Sequence, residues 1–221
     1  MPNHQVDLIG TPMTAHFQTT DTRRPDIFFT MASGRLVNLT HPMPEDIHWP
    51  DLIENLVKLP RFGGATYGVT YTVAQHCCLM YDHADTDLKP AALVKNFHKA
   101  FLGELTWSAE ATLQAYAAHP TDLAEARELA RDELDDAIFR AAGIPEADES
   151  TGAYAEERTA LNHLSRKLQA TEARDLMRVE VLPPIWSNTK PFPRTIRPWG
   201  QDKAREELEN RLGHIGLNPR G

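Results

Sequence analysis

Two short apolar runs, Ile27-Phe28-Phe29-Thr30 and Arg35-Leu36-Val37-Asn38-Leu39, flank Ala32-Ser33-Gly34. That arrangement predicts a β-hairpin, with Gly34 supplying the turn geometry and His41-Pro42 ending the second strand. From Pro50 the apolar period becomes helical: Leu52, Ile53, Leu56, Val57 and Leu59 mark one face, and Pro60 closes the helix. After the loop Arg61-Phe62-Gly63-Gly64, Tyr71–His76 opens a helix that buries Val73, Leu79 and Met80. Pro90 begins the next, with Ala92, Leu93, Val94, Phe97 and Phe101 apolar and Lys95–Glu104 carried on it. Residues 107–118 read as a short helix. The long helix predicted over 121–142 has a stripe of Leu123, Leu129, Ala130, Leu134, Ala137, Ile138 and Ala141, and Gly143 is its stop.

Beyond the charged loop at 146–150, a helix over 155–177 carries Leu161, Leu164, Leu168 and Leu176 on one face. Pro183, Pro184, Pro191, Pro193 and Pro198 then impose an extended segment, anchored by Trp186, Phe192 and Trp199, before a last helix near 202–212. Residues 1–26 show no steady period and read as an irregular arm. The pattern divides the chain into that arm, a helical domain at 27–182 and an extended tail with a terminal helix at 183–221. The fold class is mainly α, with one hairpin.

Composition narrows the function classes. The net charge is −8 over 221 residues, which argues against duplex nucleic acid as a partner, since that needs a basic footprint. No apolar run reaches membrane-spanning length and no signal-peptide pattern opens the chain, so neither a membrane nor an export route is expected. The only cysteines, Cys77 and Cys78, are adjacent, which rules out a disulfide framework and points to a reducing, cytoplasmic compartment.

Several stretches, in this order, carry a resemblance: Ser33-Gly34-Arg35, Pro42–Ile47, Arg61–Gly64, Tyr71–His76, Ala100–Glu104 and Ala170–Met177. Their order and spacing resemble the HD-domain nucleotide phosphohydrolases, the group containing 5′-deoxynucleotidases and dNTP hydrolases. The resemblance spans about Gly34 to Met177 and implies an HD-like helical bundle. Members of that family bind one divalent metal through a first His, a His-Asp pair and a distant Asp. By resemblance the first His falls on His76, the pair on Lys95 and Asn96, and the distant Asp on Ser165. A catalytic Glu of the family falls on Lys99, and the acid that follows is Glu104.

A divalent ion needs three or four N or O ligands, and an ammonium repels it. Lys95 and Lys99 against Glu104 turn the local charge positive, which favours an anion directly. Lys95, His98 and Lys99, at i, i+3 and i+4, are expected on one helix face, and Arg61 offers a phosphate fork from its loop. The leading expectation is therefore a nucleotide- or phosphate-binding pseudoenzyme with no cofactor, its ligand held by Arg61, His76, Lys95, Asn96 and Lys99, with a homodimer as one option. Two alternatives stand beside it. One is an active phosphohydrolase with a rearranged divalent-metal site of His76, His98 and Glu104, the last two also being the candidate catalytic residues. The other is an interaction protein working through its Pro/Trp-rich tail. Glu172, Arg174 and Asp175 read as surface and capping charges at a helix end.

Overall fold

The computed structural model describes residues 24–145, 152–178, 186 and 188–220. Most of the predicted arm, the loop at 146–150, and Pro183 and Pro184 lie outside them. The hairpin forms as expected: β1 (Phe28–Thr30) pairs antiparallel with β2 (Leu36–Asn38), with Phe29 opposite Val37. Gly34 takes the left-handed conformation in the turn (φ 85°). The turn is tied to the first helix, because Ser33 donates its backbone N–H and its hydroxyl to buried Asp51, at 2.8 and 2.6 Å.

Helix α1 (Trp49–Lys58) starts with proline at its second position and buries Leu52, Ile53, Leu56 and Val57, the face its period predicts. Helix α2 (Val73–His83) is capped by the Thr72 hydroxyl, which accepts from the Gln75 N–H. It lies at the centre of the molecule, packed by α1, α3 (Lys89–Val94), α7 (Gly152–Leu176) and α8 (Gln201–His214). A helix surrounded in this way must be apolar on most of its circumference, and every residue from Val73 to Cys78 is buried. The main core joins Leu56, Val73, Cys77, Leu93, Phe97, Leu134, Ile138, Leu208 and Leu212, drawn from five helices and the turn after α3.

Two elements differ from their expected form. The helix expected to carry residues 95–104 is broken: α3 ends at Val94, residues 95–98 form tight turns, and α4 (Lys99–Leu102) ends at Gly103. Several hydrogen bonds here span three residues rather than four, as in Phe97 N–H to Val94 O and Lys99 N–H to Asn96 O. Helix α6 (Pro120–Ala141) buries Leu134, Ala137 and Ile138, but Leu123 and Leu129 are exposed. Its first half extends beyond the core, where it packs against α5 (Trp107–Tyr116), a helix with no buried residue. The stripe read from the sequence is real, yet only its second half has the core to face.

The segment after α7 is not helical from Lys190 to Pro198, and it is pinned along its length. Arg174 donates to the carbonyls of Phe192 and Arg194, Asp175 accepts from the Ile196 N–H, and Phe192 stacks on His83. Gln75 accepts from the Trp199 N–H and donates to the Arg197 carbonyl, both at 2.8 Å. Trp186 donates to Gln169 and meets the Phe62 ring edge-on. Among the described residues no helix is long and apolar enough to cross a membrane.

Candidate functional site

The site residues named from the sequence fall into two groups on either side of the turn at 95–98. The first is a buried cluster around Glu172, a residue of α7 that is wholly buried, which corrects its reading as a surface charge. The last turns of α7 are enclosed by α2, the 61–64 loop and the tail, so Ala170 to Ala173 are buried in succession. The small side chains of Ala170 and Ala173 let that enclosure close around the carboxylate. Arg174 and Asp175 likewise hold the tail instead of capping a free helix end.

Glu172 Oε1 accepts from the Tyr71 hydroxyl at 2.6 Å and from His76 Nδ1 at 2.5 Å, while Oε2 lies 3.2 Å from Arg61 Nη2. His76 Nε2 faces Asn96 Nδ2 at 3.2 Å. One tautomer satisfies both ring nitrogens: Nδ1–H donates to Glu172 and Nε2 accepts from the Asn96 amide. Burial and the nearby Arg61 charge lower the His76 pKa, the Glu172 carboxylate opposing them, so the ring is neutral at neutral pH. Burial alone would raise Glu172, but the His76 ring, Arg61 and the hydrogen bonds it accepts hold it at about 2. Tyr71 is pushed well above its ordinary value by burial and the Glu172 charge, and stays protonated.

Arg61 reaches the cluster from a loop in which Phe62 and Gly63 both take the left-handed conformation. Its guanidinium bridges Glu172 and Glu104, and Lys99 Nζ sits 2.7 Å from Glu104 Oε2. Burial and Arg61 lower the Lys99 pKa, whereas Glu104, despite its own burial, is held down by Arg61 and Lys99. Two cations therefore meet two carboxylates, with a neutral histidine between, and the cluster is charge-balanced. That balance differs from the positive sum expected of Lys95 and Lys99 against Glu104, because Lys95 lies outside the cluster and Glu172 within it.

The second group is Lys95 and His98. His98 Nδ1 contacts Asp135 of α6 at 2.8 Å. Burial lowers the Lys95 pKa; Asp135 opposes that, and Arg131 and Arg158 add to it. The Lys95 side chain has no hydrogen bond or ion pair among the described residues. The expected shared face of Lys95, His98 and Lys99 does not form. On an α-helix residues four apart are about 40° apart, whereas at three residues per turn they are about 120° apart. The tight turns thus send Lys99 to the Glu104–Arg61 cluster and Lys95 towards α6.

These donors do not fit the divalent metal that the resemblance implies. Three of the four ligand positions hold Lys95, Asn96 and Ser165, and both nitrogens of His76 are engaged. Among the described residues no three His, Cys, Asp or Glu side chains converge as metal ligands, so His76, His98 and Glu104 are not brought together. Cys77 and Cys78 are buried free thiols; burial pushes the first up to about 12 and the second higher still. The chain matches no protein-family model, and no curated protein matches it.

Proposed function

We propose that this chain is a non-hydrolytic relative of the HD-domain phosphohydrolases that binds a phosphate-bearing small molecule of nucleotide size. The reading is supported by the clustering of His76 and Asn96, two of the four positions the resemblance gives to metal ligands, with Lys99, Glu104 and Arg61 of the capping loop; Lys95 faces away from that cluster. In their present form these groups pair their charges with one another, so the cluster acts as a metal-free substitute for the ion, although among the described residues Arg61 Nε has no hydrogen bond and Glu104 Oε2 has only its ion pair with Lys99. The observation that carries ligand binding is Lys95: a half-buried ammonium beside Asn96, with no carboxylate in ion-pair range among the described residues. A partly desolvated cation without an ion pair carries a cost that an anionic ligand reduces.

Calorimetry with deoxynucleoside mono- and triphosphates tests this. Binding is expected to persist in chelator, and Lys95→Ala to weaken it about tenfold, as loss of one charge-assisted contact would. No phosphate release is expected with Mn²⁺ or Co²⁺ added. Absence of binding to every nucleotide overturns the reading. Hydrolysis accompanied by about one equivalent of bound metal would instead support a rearranged metal site.

A further inference from the structure

A cleft of about 1040 Å³ runs between α2 and the segment Arg194–Gly200, floored by the face of α8 that carries Lys203, Glu207 and Arg211. It shares no lining residue with the Glu172 cluster or with Lys95 and His98. Its lining includes Lys89, Arg194, Arg197, Lys203 and Arg211 against two carboxylates, Asp82 and Glu207. Both carboxylates are taken up by Arg211, at 2.8 and 2.7 Å. The other four cations have no ion pair among the described residues; Lys203 and Lys89 lie over the rings of Trp199 and Tyr81. In a chain of net charge −8, a concave site lined by five cations and two carboxylates is a local reversal of the molecule's field.

The backbone of this wall is held while its charges are left free. Gln75 grips the Arg197 carbonyl and the Trp199 N–H, Asp175 holds the Ile196 N–H, and Arg174 holds the Arg194 carbonyl. Pro193 and Pro198 stiffen the same stretch. The side chains of Arg194 and Arg197 make no hydrogen bond among the described residues, and both residues are exposed. Fixing the backbone in advance leaves less to be ordered on binding.

We propose that this cleft is a binding site for a small oligophosphate, a ligand bearing two or more phosphate groups. Guanidinium forks suit phosphate oxygens, and Lys89 and Lys203 add point charges. A single anionic group would leave most of the four unpaired cations without a contact, whereas several linked phosphates meet them together. The cleft stands on its own residues, independently of any ligand at Lys95.

Inorganic tripolyphosphate, titrated into the full chain by calorimetry at low ionic strength, is the probe. The double variant Arg194→Glu/Arg197→Glu removes no contact that holds the fold, and circular dichroism checks that it is folded. It is expected to bind at least about tenfold more weakly, the neutral pair Arg194→Gln/Arg197→Gln falling between it and the parent. Arg35→Glu/Arg166→Glu, an equal change of charge outside the cleft, is expected to bind as the parent does. The proposal is overturned if the parent binds no tripolyphosphate at millimolar concentration. It is overturned equally if the two double reversals weaken binding alike, or if the Arg194/Arg197 variants bind unchanged.

Discussion

Glu172 accepts from Tyr71, His76 and Arg61 together, so its loss leaves a guanidinium facing a neutral group in the interior. Glu172→Gln is expected to destabilise the fold by about 3–5 kcal/mol in urea denaturation, the usual cost of breaking one side of a buried pair. Acid sensitivity follows from the same residues. The ionised Glu172, with a folded pKa of about 2 against an ordinary 4.5, contributes stability fully above 4.5, and that contribution is lost as pH falls towards 2. His76 is held neutral with its pKa below 6.5, so the unfolded chain takes up a proton first and stability begins to fall as pH drops through 6.5. Urea midpoints should therefore decline in two steps, and His76→Gln should shrink the upper one, to which His83, its pKa also lowered by burial, contributes the rest; a midpoint unchanged through pH 6.5 would contradict a neutral buried ring. His76, Asn96, Lys99 and Arg61 are named together in the sequence only through the resemblance, since no period or spacing of their own links them. Glu172 was not legible, since nothing in Ala-Thr-Glu-Ala-Arg-Asp announces which of its charges faces inward until the tail is folded over α7.

At the scale of elements, periodicity located the hairpin and the longer helices because each has an apolar face with a core to meet. It could not find the break at residues 95–98, where Lys-Asn-Phe-His is compatible with either helix geometry and packing decides. Nor could it tell that the first half of α6 leaves the core, since a stripe has the same appearance whether or not a neighbour covers it. The proline-rich segment and α8 carry their own prediction. Leu208 and Leu212 sit in the main core, and α8 packs on both α1 and α2. Leu208→Ala should cost about 2–5 kcal/mol by chemical denaturation. Removing residues 183–221 should yield a chain without a cooperative thermal transition, because α1 and α2 would each lose an apolar neighbour. A folded truncation product would show instead that the tail is dispensable to the core.

For the whole molecule, charge is the property that sequence totals describe least well. A net −8 is an average over a surface that also gathers four unpaired cations into one cleft, and no count of residues reveals that placement. Because the surrounding field is acidic and the cleft is confined, duplex DNA should produce no mobility shift at physiological salt. Band retardation there would mean that the basic surface extends well beyond the cleft.

Cys77 and Cys78 lie side by side in the most enclosed helix, with thiols whose deprotonation is strongly disfavoured. Alkylating reagents attack the thiolate, so in the closed protein both sulfurs are silent. Each adduct formed under native conditions thus records a moment when the neighbours of α2 parted. The protein carries its own clock for the opening of its centre, readable by mass spectrometry without an engineered cysteine, and any ligand that braces the wall formed by Gln75 and the tail should slow it.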